Sequence, residues 1–181
     1  MNAHHPEVAD ALWRYAGLYL FQAEALRDPA RASPNLRRAF RQGGLLDEEG
    51  RLTPAGLFAL ERAEAILAGR FVPPPPMLEM EYRAGIGRRI GIPGVEAKLL
   101  IHVARFPESC LRHLRQHFGN RPLDALRERG WIGIPDGFPW EAWSTPVRPT
   151  PEGLGRLQEA IGFRTKSDCQ AVMHLVTSGG T

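Results

Sequence analysis

At 181 residues, the chain is long enough for one large domain or two small ones. Its 43% hydrophobic and 24% charged content is that of an ordinary globular protein, and no stretch approaches the ~20 apolar residues of a membrane helix, so no membrane partner is expected. The net charge of +3 is carried almost wholly by arginine, because only Lys98 and Lys166 among the 23 basic residues are lysine. Guanidinium forks suit phosphate oxygens and guanine edges, although the abundance of Ala, Gly and Pro makes genome composition the simpler cause of the bias. The start, Met1 to Glu7, has neither the basic flank nor the apolar run of a secretory signal, and Cys110 and Cys169 are too few for a disulfide scaffold. A reducing cytoplasm is the expected setting.

From Pro6 to Arg27, apolar residues recur at three- and four-residue steps (Ala9, Leu12, Trp13, Ala16, Leu20, Ala23, Leu26), which predicts one long amphipathic helix. Ser33-Pro34 offers an N-cap and first-turn proline for a short helix running to Gln42 and stopping at Gly43-Gly44. Leu45-Leu46 and Arg51-Leu52 then predict two very short strands around a tight turn. Thr53-Pro54 starts a helix whose buried stripe is expected at Leu57, Leu60, Ala63 and Ile66/Leu67.

Pro73 to Pro76 cannot continue a helix and favour an extended spacer, so units are expected at 1–72 and 95–163, with a linker at 73–94 and a tail at 164–181. In the second unit, helices are predicted over Val95 to Phe106, Glu108 to Phe118 and Arg121 to Arg129, the last closed by Gly130 with Leu123 and Leu126 inward. Trp131 to Ile134 and Val147 to Pro149 read as strands around a loop, and Thr150-Pro151 opens a helix ending near Ile161. The tail carries a short apolar run around Ala171, Val172, Leu175 and Val176.

The two halves repeat each other. Leu36 to Leu45 aligns with Leu123 to Ile132, each a short helix ending at glycine and passing into an apolar strand. Thr53-Pro54-Ala55-Gly56-Leu57 matches Thr150-Pro151-Glu152-Gly153-Leu154, with Leu60/Leu157 and Ala63/Ala160 in register, and the extra residues of the second copy fall in the hairpin loop. This order of helix, helix, Gly-terminated helix, β-hairpin and Thr-Pro-x-Gly helix resembles the winged helix-turn-helix domains of MarR-like bacterial regulators. The resemblance covers Val95 to Phe163 well and Ser33 to Gly69 in part. It implies a mainly α fold with short β-hairpins (α+β), a tandem winged helix whose third helices enter the major groove of double-stranded DNA while the wing lies on the flanking backbone.

On that reading, the first unit's contact helix presents Asn35, Arg37, Arg38 and Arg41 without an acidic neighbour, with Arg31 in the preceding turn. The second unit's helix presents Asn120, Arg121 and Arg127, and Arg121 sits at its start, where base or phosphate contact is easiest. Asn120 as a simple cap and Arg127 as a solvated side chain are equally good readings. Between Tyr82 and Arg121, eight basic residues, among them Arg88, Arg89, Arg112 and Arg115, face only two acidic ones, and if they converge they would steer a polyanion. The second loop carries Phe138, Trp140 and Trp143 without Lys or Arg, which suits packing on a neighbouring domain, a second subunit of a homodimer or a protein partner better than base stacking.

No nucleotide or hydrolase motif appears. Gly85 to Gly91 misses both the G-x-G-x-x-G and Walker spacings, Glu79 and Glu81 lack an acid/base partner, and neither an enzyme nor a cofactor is expected. Cys110, His113 and His117 share one helical face at i, i+3 and i+7, as metal ligation requires, but no fourth ligand is evident and Cys110 also suits a core. The leading expectation is a DNA-binding transcriptional regulator or mobile-element accessory factor. The alternatives are a tandem winged-helix interaction scaffold of the kleisin-interacting type and a replication initiator.

Overall fold

A computed structural model describes residues 6–162. Helix α1 (Pro6–Ala11) runs into a π-helical turn (Leu12–Ala16), and α2 (Leu20–Arg27), α3 (Pro34–Gln42) and α4 (Pro54–Leu67) follow. The second half contains α5 (Ile86–Arg89), α6 (Gly94–Arg105), β1 (Ser109–Cys110), α7 (Leu111–Phe118), α8 (Asn120–Glu128), β2 (Ile132–Gly133), β3 (Pro146–Pro149) and α9 (Pro151–Gly162). The strands form a small antiparallel sheet in the order β1-β3-β2, with Ser109 opposite Val147 and Ile132 opposite Pro149. The protein is thus mainly helical with a minor β component. Among the described residues, no helix is long and apolar enough to cross a membrane. The apolar run at 171–176 lies outside the described residues.

Capping chemistry sets the helix starts. The Ser33 hydroxyl accepts from the Leu36 N–H, and Thr53 and Thr150 accept from Gly56 and Gly153, in each case just before a first-turn proline. The two threonines also donate to the carbonyls of Gly44 and Gly130, both at 2.6 Å, which ties each helix to the end of the one before the hairpin. These twin bonds set the register of the repeat. Gly44 and Gly130 are both left-handed, at φ of 68° and 70°, and each N–H bonds the carbonyl three residues back. The equivalence is therefore Gly44 with Gly130, one residue away from the Gly43/Gly130 pairing that the sequence alignment suggests. A side chain at Gly56 or Gly153 would overlap the carbonyl oxygen of Leu45 or Trp131. Gly153→Ala is expected to destabilise the fold by about 2 kcal/mol in urea unfolding, because backbone must move to admit the methyl; an unchanged midpoint would refute that packing.

Several elements depart from the expected pattern. The predicted long first helix breaks at Gly17, which adopts φ 70° and lies so close to the second half that a Cβ there would stand 3.0 Å from both Cys110 Sγ and the Trp143 carbonyl oxygen. The first hairpin contains a single bridge, Leu46 to Leu52. In α4, Leu57 is 48% exposed while Ala55, Ala59, Ala63 and Ile66 are buried, so small residues form its packing stripe. The predicted helix from Glu108 instead begins with strand β1, and helical geometry starts at Leu111.

Among the described residues, two hydrophobic clusters result. One gathers Leu12, Leu18, Leu26, Phe40, Leu45 and Ile66, and the other Leu99, Leu100, Leu114, Leu126, Trp131 and Leu157. The segment assigned to a linker joins the second cluster through Ile86 and Ile92, and the Met77 N–H bonds the Ala104 carbonyl. The four prolines therefore mark the limit of the first cluster, and the second begins soon after them.

Candidate nucleic-acid interface and the junction behind it

Helix α3 turns Phe40 into the first cluster, so Asn35, Arg38 and Arg41, at three-residue steps, fall on its exposed side, while Arg37 is half-buried at the flank. Among the described residues, no carboxylate pairs with Arg37, Arg38 or Arg41. Arg31 lies 3.1 Å from Asp28, but that pair is highly exposed and holds it weakly. The hairpin after α3 carries Asp47, Glu48 and Glu49, which would repel phosphate, but Arg51 bonds both Asp47 and Glu49 at 2.9 Å. Bonds from the Arg51 backbone and side chain hold the Asp47 carboxyl below its usual range.

Helix α8 occupies the equivalent place in the second half, with Pro122, Leu123 and Leu126 buried and Asn120, Arg121, Asp124 and Arg127 exposed. In the corrected register, Arg41 matches Arg127 and Arg38 matches Asp124, so the second face has mixed charge. Its Arg127 lies over the Trp140 ring at 4.8 Å.

The basic residues between Tyr82 and Arg121 do not form one free field. Arg112 reaches across to the first half, donating to the Gly17 carbonyl at 2.7 Å and to Gln22 Oε1 at 2.8 Å, with its guanidinium 3.6 Å over Trp143 and 5.0 Å over Trp13. Arg115 donates to the Trp140 carbonyl at 3.0 Å, Arg89 to the Ala160 carbonyl at 3.2 Å, and Lys98 lies over Tyr82. Arg112 and Arg115, both among the candidate phosphate contacts, thus donate to internal carbonyls. Arg88 and Arg121 remain exposed.

The aromatic loop is likewise occupied, and it does not form a free partner surface. Trp140 is buried, Trp143 packs on the first hydrophobic cluster beside Gly43, and Phe138 meets Phe58 edge-on at 5.1 Å. The Trp143 backbone N–H bonds the Gly43 carbonyl at 2.9 Å, and the Ser144 hydroxyl donates to the Ala55 carbonyl at 2.6 Å. Across the same junction, Glu108 accepts from Arg62 at 3.0 Å, and within its own half it accepts from Arg148. Burial raises the pKa of Glu108, but the two arginines outweigh it and keep the carboxyl below its usual value. Sequence spacing carries no signal for this network, since the Arg62–Glu108 partners are 46 residues apart and those of Arg112 are 90 and 95.

The Cys110, His113 and His117 triplet, which shares one helical face in the sequence, separates at Cys110. Its thiol is fully buried and pointed at the Trp13 carbonyl, and burial pushes its pKa up to about 12. His113 and His117 stay together on α7, and His102 of α6 joins them, a residue that spacing along one helix could not reveal. Among the described residues, no group of three or more His, Cys, Asp or Glu is arranged to hold a metal ion. A cleft of about 700 Å³ lies elsewhere, beside the end of α9; its lining among the described residues includes Met80, Arg83, Arg89, Arg105 and Ile161, and none of those described residues is a histidine, cysteine or serine.

No protein-family model, curated protein or solved structure matches the chain.

Proposed function

We propose that the chain is a tandem winged-helix protein that binds duplex DNA through the outward face of α3, in the role of a transcriptional regulator or mobile-element accessory factor. Supporting this reading is the element order of the second half, in which a helix, a strand, two helices, a two-stranded hairpin and a closing helix follow one another, together with the repeat of its last helix–hairpin–helix part in the first half. The observation that carries the DNA reading is the exposed row of Asn35, Arg38 and Arg41 on α3, free of carboxylate partners among the described residues, with a short amphipathic helix behind it. Arg37 and Arg31 extend the row for phosphate contact, and α8 adds Asn120 and Arg121 on a weaker, mixed surface.

The test is a fluorescence-anisotropy titration of random-sequence duplex at two ionic strengths. Arg37→Ala/Arg38→Ala/Arg41→Ala is expected to weaken affinity at least tenfold and to lower the salt slope by up to about three, at roughly 0.9 for each phosphate no longer neutralised. Undiminished affinity in the triple variant would remove α3 from the interface.

A second reading, a protein-interaction scaffold, draws on a different surface from the aromatic loop. Tyr19 and Phe21 are 44% and 57% exposed and stack at 6.0 Å, continuing from Trp13. Under this reading, Tyr19→Ser/Phe21→Ser abolishes a homodimer or a partner complex in light scattering, and the wild-type chain has no duplex affinity.

A further inference from the structure

Three imidazoles form a row on α6 and α7. The ring centroids of His102 and His113 are 5.4 Å apart, and those of His113 and His117 are 4.3 Å apart. His113 is only 2% exposed, yet among the described residues neither of its ring nitrogens has a hydrogen-bond partner, and Nε2 of His102 is buried in the same condition. Buried polar atoms are ordinarily satisfied, so several orphaned nitrogens in one place point to a ligand.

His117 is held differently. Its Nδ1 lies 2.9 Å from the His113 carbonyl oxygen, so Nδ1–H donates and Nε2 keeps its lone pair. A backbone carbonyl on the far ring nitrogen is the usual support of a metal-bound histidine, because it fixes both tautomer and ring orientation. The helix supplies the rest, since residues at i and i+4 stand one above the other on the same face.

We propose that His113 and His117 on α7 form a binding site for a divalent transition-metal cation of the Zn²⁺ class, with His102 beside them and water in the remaining positions. Imidazole nitrogen suits that class of cation, whereas Mg²⁺ and Ca²⁺ prefer oxygen ligands. The set differs from the Cys110, His113 and His117 triplet of the sequence, because the thiol faces away into the junction. Two histidines make an open site rather than the closed four-ligand cage of a structural zinc. Burial keeps His102 and His113 neutral near pH 7, the state in which an imidazole can ligate. From the first half, Arg14 faces these rings, and its charge is offset by Asp10 at 3.0 Å. Trp13 and Phe118 supply ring contacts at either side. The site does not depend on the DNA reading.

Zn²⁺ titration by calorimetry at pH 7.5 tests it, using the full chain with His4→Ala and His5→Ala so that the terminal pair does not compete. One Zn²⁺ per chain is expected, with a rise in Tm of several degrees. His117→Gln, at an exposed position, should weaken binding at least tenfold with an unchanged circular dichroism spectrum. A measurement without substitution in the site accompanies it: histidine-ring ¹⁵N spectra should show Zn²⁺ shifting the His113 and His117 signals and leaving that of His174 unchanged. Absence of saturable binding, equal affinity in His117→Gln, or unmoved His113 ring signals would each overturn the proposal.

Discussion

Truncation of Arg112 to alanine is expected to cost about 3 kcal/mol of folding stability, although this residue lies on the surface helix α7 and reads in the sequence as a phosphate contact. Its guanidinium donates two charge-assisted hydrogen bonds, to the Gly17 carbonyl and Gln22 Oε1, and both are lost in the variant, which leaves Gln22 Oε1 only the Tyr19 N–H at 3.1 Å. It also fills the space between the Trp143 face, at 3.6 Å, and the stacked rings of Trp13 and Tyr19. A partly desolvated cation over an indole contributes up to about 2 kcal/mol, and the two hydrogen bonds account for the remainder. Arg112→Lys should recover less than half of the loss, because an ammonium is a point charge that cannot lie flat on Trp143 while bonding two acceptors. Urea unfolding monitored by tryptophan fluorescence measures both variants. A stable Arg112→Ala protein would mean that the halves are held together elsewhere.

Acid is expected to destabilise the protein well before its carboxylates titrate. Burial depresses the pKa of His102 to about 4 and that of His113 to about 3, with the charges of Arg14, His117 and each other adding to the effect on one or both rings. In the unfolded chain, both return to about 6.5. Between pH 6.5 and about 4, the unfolded state therefore binds more protons than the folded one, so stability rises with pH across this window. The contribution is complete above pH 6.5 and is lost progressively as the pH falls. At about 1.4 kcal/mol per unit, the shifts correspond to at most about 3 kcal/mol for His102 and about 5 kcal/mol for His113, and structural relaxation trims the pair to several kcal/mol in total. The lowered Glu108 pKa adds a further loss in the same direction below its unfolded value, as the Arg148 and Arg62 bonds disappear. Denaturant midpoints measured from pH 8 to pH 4.5 should fall steeply below pH 6.5, and His113→Leu should flatten the upper part of the curve. An equally steep curve in His113→Leu would assign the acid sensitivity to other groups.

The α3 face is legible in the chain's residues alone, because a serine–proline start, a glycine stop and a run of arginines around one buried aromatic are local signals. The one-residue offset in the repeat is not. Gly43 and Gly44 are both plausible helix stops in sequence, and only the threonine bonds at the far side of each hairpin select Gly44. The aromatic loop is legible as a packing surface but not as to its target. Trp143 finds that target at Gly43, where the absence of a side chain leaves room for an indole. Arg112 misleads for a related reason: its acceptors are 90 and 95 residues away, and a polar side chain on a helix surface shows in sequence only its own neighbours. The row of histidines falls between these cases, since the i, i+4 pair is visible in the sequence and His102 enters from another helix.

By itself, the sequence determined where α3, α4 and α9 start and where α8 stops: Ser33-Pro34, Thr53-Pro54, Thr150-Pro151 and Gly130 act through hydrogen bonds that close within a few residues, and such bonds need no tertiary partner. The tertiary structure alone decided that the first helix breaks at Gly17, that alanines rather than Leu57 line the inner face of α4, and that the second loop closes over the first half. Each of those outcomes depends on what approaches from far along the chain. Burial and close approach are properties of the packed molecule, which no local pattern of residues carries.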